Sequence, residues 1–345
     1  MITKLIKIAQ TSESEEIKQA SELIRQGELV AFPTETVYGL GGDALQPDAA
    51  SKIYAAKGRP SDNPLIVHIC KIEDLKKIAK NIPDKAYTLA EHFWPGPLTM
   101  IFDKKDCVPD GTTGGMDTVA VRMPSHPVAL ELIKQSGGFI AAPSANTSGR
   151  PSPTKAAHVY EDLNGKIPMI LDGGAVGIGL ESTIVDFTSQ VPTILRPGFL
   201  TAEDFAPLIG EVFIDPGIIA SDSSIKPKAP GMKYRHYAPG GALTIVRGDN
   251  ERTAEYITSQ VQKYGESKRV MVLCLKDHEK NFTHVQHLVL GNDMQEIAAN
   301  LFSALRICDE KKADLIYSEA VEERGLGRAI MNRLKKAAGG EIVDV

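Results

Sequence analysis

The sequence predicts an α/β protein made of two units, and three observations support this fold class. Short apolar runs rich in β-branched residues alternate with segments whose apolar residues recur at helical spacing. Several apolar runs end in loops rich in hydroxyl, amide and cationic side chains, which is where α/β sheets usually bind ligands. Between residues 216 and 240 this pattern gives way to a stretch with the composition of a linker. We therefore predict a larger unit over 1–215, a connecting segment over 216–240 and a smaller α/β unit over 241–345.

Length, charge and cysteine usage limit the class of protein. The 345 residues, 42% of them hydrophobic, can bury a sizeable core. With 39 basic against 44 acidic residues, the net charge of −5 argues against a nucleic-acid-coating protein and leaves room only for a weak local RNA contact. The four scattered cysteines lack zinc-ligand spacing, so we predict no metal site. No signal peptide or membrane-length apolar run is present, and we expect a cytoplasmic protein without membrane contact.

The first polar loop follows a helix and a strand. A capping box at 12–15 and an apolar stripe predict a helix that ends before Gly27, and a buried strand follows over 29–32. The strand runs into the segment 33–43, which combines hydroxyls and a carboxylate with three glycines. The cluster indicates a ligand site or a Gly-rich turn, and we interpret Glu35 as a turn-capping carboxylate.

The second polar loop carries two cations. A helix over 48–57 is predicted to end at Gly58, and a short buried strand is predicted over 65–69. Between them, Arg59 could bind a polyphosphate bidentately, with Lys57 as a mobile point charge. Equally, both cations could complement the negative end of the helix dipole. The loop alone leaves these two interpretations open.

The next elements are helices at 72–80 and 84–93 and strands at 98–102 and 118–123. In the last of these, apolar residues alternate, so that if Val119 and Val121 face the core, Thr118, Ala120 and Arg122 face the opposite side. Arg122 is then either a solvated surface charge or a carboxylate clamp in a cleft.

Further strand ends repeat the pattern. A strand over 139–142 leads into a polar loop that could offer N–H groups to an anion before a helix from about Thr154. A second loop, with Ser182, precedes the strand 184–187, and Arg196 follows another apolar pair. One extended cleft explains the recurrence better than separate surface loops. Neither a P-loop nor a dinucleotide fingerprint is present.

Two further regions complete the chain. The stretch 230–239 is dense in aromatic rings and cations, and composition fits an interdomain strap as well as a lid over a ligand. Beyond it, strands at 242–246, 270–274, 285–290 and 315–317 alternate with helices near 251–264, 294–307 and 330–338. This alternation predicts a parallel α/β sheet, and we find no catalytic constellation in it.

Four motifs in order resemble the YrdC-type domain, namely PTETVYGL at 33–40, KGR with NPL at 57–65, APSAN at 142–146 and EST at 181–183. PGMKYRHYAP at 230–239 and the α/β tail resemble the long form of the threonylcarbamoyl-AMP synthase family. The resemblance implies a twisted sheet with a large concave cleft, joined by a linker to a smaller Rossmann-like domain.

The resemblance also implies a function. Members of this family are nucleotidyltransferases that join L-threonine, bicarbonate and ATP, with Mg²⁺, into threonylcarbamoyl-AMP and pyrophosphate. A threonylcarbamoyl-transferase partner complex then uses the product on tRNA. Two alternatives stay open: a carbamoyltransferase-related enzyme, whose cysteine-rich zinc motifs are missing here, and a non-catalytic RNA-binding module of the same fold.

The resemblance assigns residues to each substrate. The threonine-side contacts that it implies are Thr36, His68, Arg122, the backbone of Ala142, and Ser182. The ATP-side contacts that it implies are Arg59, Asn63, Thr118, Ser144, Ser152, Arg196 and, from the linker, Tyr234. Lys57 and Arg59 are expected to stabilise charge during an in-line attack on the α-phosphorus, which needs no covalent enzyme nucleophile.

Overall fold

The structure is a computed structural model that describes residues 1–11, 14–61, 63–218, 236–264 and 267–345. The chain divides into two compact units. The first comprises the described residues up to 218, except for Gly149–Pro151 and Ile178–Leu180, which belong with the residues after 235 to the second. Most of the predicted connecting segment, Tyr234 included, lies outside the described residues.

The first unit is built around a mixed sheet of 12 strands among the described residues. Its strands are β1 (Lys4–Lys7), β2 (Val30–Phe32), β3 (Gly39–Asp43), β4 (Ile66–His68), β5 (Ala79–Lys80), β6 (Leu98–Lys104), β7 (Thr118–Arg122), β8 (Ile140–Ala141), β9 (Met169–Asp172), β10 (Thr183–Asp186), β11 (Thr193–Arg196) and β12 (Phe213–Ile214). They lie in the order β1-β9-β2-β3-β8-β4-β7-β6-β10-β11-β12, and β5 pairs with β6.

Eight α-helices of the described part of this unit accompany the sheet. They are α1 (Glu15–Arg25), α2 (Ala49–Lys57), α3 (Leu75–Ile78), α4 (Asp84–Phe93), α5 (Asp110–Thr113), α6 (Pro127–Gln135), α7 (Ala156–Leu163) and α8 (Ala202–Ile209). Val119 and Val121 of β7 lie in the main core, whereas Ala120 belongs to a separate small apolar cluster. The alternation predicted for this strand is therefore confirmed.

Local signals placed several helix ends correctly. The predicted helix over 84–93 is α4, and α2 ends at Gly58, which adopts the left-handed conformation with φ 62°. The helix α1 is capped by Ser14, whose side chain accepts a hydrogen bond from the Ile17 N–H, while the predicted capping residue Ser12 lies outside the described part of the chain.

Pairing within the sheet overrode two predictions. The helix predicted over 72–80 is wrong beyond residue 78, because Ala79 and Lys80 pair as β5 with β6. Residues 39–43 are a strand rather than a Gly-rich turn. At Gly41 a Cβ atom would lie 2.8 Å from the side chains of both Ile140 and Phe32, so glycine lets this strand pack closely.

The second unit contains a five-stranded, all-parallel sheet among its described residues. It is formed by β13 (Ala242–Arg247), β14 (Val270–Cys274), β15 (His287–Val289), β16 (Leu315–Glu319) and β17 (Ile342–Asp344) in the order β15-β14-β16-β13-β17, with the helices α9 (Asn250–Tyr264), α10 (Met294–Glu310) and α11 (Leu326–Ala338). The predicted parallel α/β sheet is confirmed, although α11 begins four residues earlier than expected. No helix in the described part of the chain combines the length and apolar character needed to cross a membrane.

Candidate active site

One row of residues crosses five neighbouring strands of the large sheet. His68 on β4 is in register with Arg122 on β7, Arg122 with Thr99 on β6, Thr99 with Ile184 on β10, and Ile184 with Arg196 on β11. Residues directly opposite each other on paired strands project from the same face. The row therefore collects an imidazole, two guanidinium groups and a hydroxyl on the face of β7 that points away from the main core.

Arg122 is buried on this face, with 4% of its surface exposed, so the interpretation as a solvated surface charge is wrong. Its Nε donates to the Gly96 carbonyl oxygen at 3.3 Å, and its Nη2 donates to Glu35 Oε1 at 2.7 Å. Because a guanidinium has five N–H groups in a planar fork, three donors remain for a ligand. Such a group can hold a carboxylate bidentately.

Glu35 is the partner that the sequence did not identify, and its interpretation as a turn cap is wrong. One carboxylate oxygen binds Arg122, and the other accepts from the Ser125 N–H at 3.0 Å. Burial acts to raise the pKa of Glu35, but the charge and hydrogen bond of Arg122 and the hydrogen bonds from the backbone of Glu35 and Ser125 together outweigh it, so the pKa lies below its usual value. Glu35 is therefore ionised at neutral pH.

His68, at the end of β4, contributes a neutral imidazole to this row of residues. Its Nδ1 lies 3.1 Å from the Ile66 carbonyl oxygen, which can only accept, so Nδ1 carries the proton and Nε2 is left as an acceptor. The Phe32 ring packs edge-on against it, with 6.2 Å between ring centroids. Burial, and then the positive charge of Arg122, lower the pKa of His68 to about 3.

We expect His68 to make the stability of this unit depend on acid pH. In the unfolded chain the exposed imidazole has a pKa of about 6.5, whereas in the folded protein the pKa of His68 is about 3. The unfolded state therefore binds a proton more readily between pH 6.5 and 3. The contribution of the neutral His68 to stability is complete above pH 6.5 and falls as the pH drops from 6.5 towards 3. The loss is at most about 1.4 kcal/mol per pH unit. Urea titrations at pH 4.5, 5.5 and 7.5, followed by the fluorescence of the single, buried Trp94, should show a shallower loss in His68→Gln.

The matched control is His92→Gln, because His92 is exposed on α4 in the same unit. It should keep the wild-type pH dependence. If His68→Gln and the wild type lost stability in parallel between pH 7.5 and 4.5, a neutral buried His68 would be wrong.

The turn 34–37 presents the hydroxyl of Thr36, whose proton is already used in a hydrogen bond within the turn. Thr34 Oγ1 donates to the Val37 carbonyl oxygen at 2.6 Å and lies 2.9 Å from Thr36 Oγ1. Since a hydroxyl has one proton, Thr36 must be the donor in that pair. The remaining lone pairs of Thr36 Oγ1 can therefore only accept, which suits an ammonium or hydroxyl of a ligand.

A second hydroxyl group lies at the other end of the row. Ser182 Oγ lies 2.7 Å from Thr99 Oγ1 and accepts from Arg196 Nη2 at 3.1 Å, while Arg196 Nε donates to the Ser182 carbonyl oxygen at 3.1 Å. Thr99 is a site residue that the sequence does not predict, because nothing local separates it from other strand threonines. Its importance follows only from strand register.

Lys57 lies buried, with 2% of its surface exposed. Its Nζ donates to the backbone carbonyl oxygens of Ser144 and of Asn146, the latter at 2.6 Å. The Ser148 N–H returns a hydrogen bond to the Lys57 carbonyl oxygen at 2.9 Å. Lys57 thus ties the end of α2 to the loop after β8, which brings two of the predicted polar loops together. Its predicted catalytic role stays a prediction.

Asn63, in the loop between α2 and β4, presents an unusual feature. Its side chain is fully buried, and neither its amide oxygen nor its amide nitrogen has a hydrogen-bond partner among the described residues. Arg59 lies close by, its Nη2 3.5 Å from the Asn63 carbonyl oxygen and its guanidinium 5.9 Å from the centre of the Tyr54 ring. Buried amides are normally satisfied, so Asn63 is a candidate for contact with a ligand.

The other predicted site residues are placed as follows. Ser152 Oγ donates to the buried Glu181 at 2.5 Å. The Ala142 N–H donates to the Ile66 carbonyl oxygen at 2.9 Å, so a ligand could reach this backbone only at the carbonyl oxygen. Thr118 opens β7 on the same face as Arg122, four residues away.

Within the described ranges, no group of three or more His, Cys, Asp or Glu side chains is placed to hold a metal ion. The phosphate-binding candidates of the site are instead cations and hydroxyls.

An α/β protein with a partly engaged, buried arginine on one sheet face, and a buried amide at Asn63 that has no partner among the described residues, belongs to the class that binds small anionic ligands. Two family models match the chain. Residues 22–198 match the Sua5/YciO/YrdC family, described as Telomere recombination. Residues 200–339 match the family Threonylcarbamoyl-AMP synthase, C-terminal domain.

Similar proteins match this chain over all or nearly all of its length. The chain is 49% identical to a threonylcarbamoyl-AMP synthase of Pyrococcus abyssi over 345 residues, with 100% of both chains covered. It is 49% identical to that of Bacillus subtilis, with 95% of this chain and 94% of the relative covered. The crystal structure of P. abyssi Sua5 complexed with L-threonine matches with a TM-score of 0.93 and 48% identity, and covers 100% of both chains. The chain belongs to the two-domain threonylcarbamoyl-AMP synthase family, as predicted.

Proposed function

We propose that the protein makes threonylcarbamoyl-AMP and pyrophosphate from L-threonine, bicarbonate and ATP. The observation that carries this proposal is Arg122, a buried guanidinium with three donors left. Acceptors lie on His68, its neighbour in register, and on Thr36, which follows its partner Glu35 in the chain. A zwitterionic amino acid needs donors for its carboxylate and acceptors for its ammonium at a short separation. The P. abyssi relative was crystallised with L-threonine, which is consistent with this use of the site.

In the proposed complex, Arg122 clamps the threonine carboxylate, while Thr36 Oγ1 and His68 Nε2 accept from its ammonium and hydroxyl groups. The Ser182 region, tied to Arg196, extends the site along the row towards ATP. The Ala142 carbonyl oxygen is a further acceptor for the bound threonine, and it comes from the backbone.

On the ATP side, Asn63, Thr118, Ser144, Ser152 and Arg196 bind the nucleotide, and magnesium enters with ATP as part of the substrate. The threonine amine and bicarbonate first form N-carboxy-threonine with loss of water. Arg59 and Arg196 then neutralise charge as its new carboxylate attacks the α-phosphorus in line and pyrophosphate leaves. Positioning and charge neutralisation suffice for this step, without a covalent enzyme nucleophile. The product would pass to a threonylcarbamoyl-transferase complex that acts on tRNA.

Replacement of Asn63 by the similarly shaped leucine should change stability and ATP use in opposite directions. It removes two buried polar atoms that have no hydrogen-bond partner among the described residues, so we expect the free energy of unfolding to rise by about 1–3 kcal/mol. It also removes hydrogen bonds to the nucleotide, so the KM for ATP should rise about tenfold. The KM for threonine serves as the internal control and should not change. A destabilised variant with a normal KM for ATP would contradict the assignment.

Pyrophosphate release tests the proposed function directly. The purified full-length protein, with ATP, magnesium and bicarbonate, is assayed with and without L-threonine and with L-serine as a matched amino acid. We expect release that depends on threonine and on bicarbonate. Threonine-independent release would indicate another acceptor. No release, together with salt-sensitive RNA binding, would favour the RNA-binding module.

A further inference from the structure

The guanidinium of Arg122 is held by two groups of the protein, one of which is the carboxylate of Glu35. Glu35 is anchored at both carboxylate oxygens, on Arg122 Nη2 at 2.7 Å and on the Ser125 N–H at 3.0 Å. Arg122 is held in turn by the Gly96 carbonyl oxygen at 3.3 Å from Nε. Two anchored N–H groups of a planar guanidinium fix the direction of the other three. The side chain of Arg122 is therefore oriented before any ligand arrives.

Glu35 also lies on the same turn as Thr36. Thr34 Oγ1 organises this turn through its bonds to the Val37 carbonyl oxygen and to the N–H groups of Thr36 and Val37. One rigid turn thus carries both the hydroxyl that faces the substrate ammonium and the carboxylate that orients Arg122. This connection sets the distance between the two ends of an amino-acid site.

The negative charge of Glu35 acts against the binding that its orientation of Arg122 favours. A carboxylate beside Arg122 repels the carboxylate of a substrate and weakens the attraction of the guanidinium for it. If charge alone decided affinity, removal of the Glu35 charge would tighten threonine binding. If orientation decides, the same change loosens it. The two effects therefore predict results of opposite sign.

We infer that Glu35 is a positioning residue for the reaction, which acts by orienting Arg122 towards the carboxylate of the amino-acid substrate. This inference rests on the proposed function, because it assumes that Arg122 receives a carboxylate. The orienting effect of Glu35 outweighs its repulsion of the substrate carboxylate, because both of its oxygens are hydrogen-bonded to groups of the protein. A misplaced clamp can cost about a hundredfold in rate or binding.

The test compares Glu35→Gln and Glu35→Asp with the wild type. The first keeps the size but replaces one acceptor oxygen with an NH2 donor, so that it cannot accept from both Arg122 and the Ser125 N–H. The second keeps the charge but is one methylene shorter, so that it cannot span Arg122 and Ser125. The affinity for L-threonine and for L-threoninamide, which lacks the carboxylate, is measured by calorimetry on the full chain, along with the KM values for threonine and ATP. Glu28→Gln is the control, since it removes a carboxylate from an exposed ion pair with Lys52.

We expect both Glu35 variants to bind threonine at least about tenfold more weakly and to lose most of the preference for threonine over threoninamide, with the KM for ATP unchanged. A merely structural role would not change that preference. Tighter or unchanged threonine binding in Glu35→Gln, or wild-type behaviour in Glu35→Asp, would overturn the inference. If Glu35→Gln fails to fold, the Asp variant decides. A wild type that neither binds nor uses threonine refutes the proposed function instead.

Discussion

Arg122→Met is expected to abolish efficient use of threonine while the KM for ATP stays near the wild-type value. The substitution removes the only candidate clamp for a carboxylate that the described part of the strand row offers beside Thr36 and His68. Loss of one partner of a buried, hydrogen-bonded charge pair costs about 2–5 kcal/mol, which corresponds to a KM for threonine raised roughly 30- to 5,000-fold. Steady-state pyrophosphate release with each substrate varied in turn measures both constants.

The same substitution should destabilise the first unit, because Glu35 would be left as a buried carboxylate without its cation. Breaking a buried ion pair on one side costs about 3–5 kcal/mol, whereas replacing both partners is often nearly neutral. The double variant Glu35→Gln/Arg122→Met should therefore recover most of the stability lost, as measured by urea unfolding with Trp94 fluorescence, but none of the threonine use.

Lys52→Met is a matched control for the loss of a cation, since Lys52 forms an exposed ion pair with Glu28 at 3.0 Å. Such surface pairs contribute about 0–1 kcal/mol, so this variant should resemble the wild type in both assays. If Arg122→Met kept a normal KM for threonine, the carboxylate clamp would be wrong, whatever happened to stability.

Lys57→Met is expected to impair both folding stability and ATP use. The ammonium of Lys57 supplies hydrogen bonds to the carbonyl oxygens of Ser144 and Asn146, which leaves these acceptors without that donor in the variant. Each buried acceptor left unsatisfied costs about 1–3 kcal/mol. The loop after β8 would lose its anchor, and with it the placement of Ser144, so we expect a higher KM for ATP and a lower urea midpoint.

Arg59→Met distinguishes anchoring of this loop from direct charge stabilisation. Arg59 is only partly buried, and its loss should lower kcat with little change in stability, because its proposed contribution is made in the transition state. Lys52→Met, on the same helix as Lys57, again serves as the control. A Lys57→Met protein of wild-type stability but without turnover would show that Lys57 acts on the reacting phosphate instead.

Local pattern was sufficient for much of the fold. Gly58 located the end of α2, and alternation along β7 placed Arg122 on the face opposite Val119 and Val121. It was insufficient where a segment owes its conformation to distant neighbours. Residues 79 and 80 form a strand only because β6 lies beside them, and residues 39–43 form a strand because glycines fit between β2 and β8.

The amino-acid sequence by itself determined the fold class, the family and the polar strand ends from which the site is made, since periodicity and turn residues act over a few neighbours and motifs persist in the chain. Only the tertiary structure decided which side chains meet. Glu35 pairs with Arg122, and Lys57 reaches Ser144, each across 87 positions of the chain. These pairings follow from the order in which strands lie in the sheet, and strand order depends on long-range packing that no local pattern encodes.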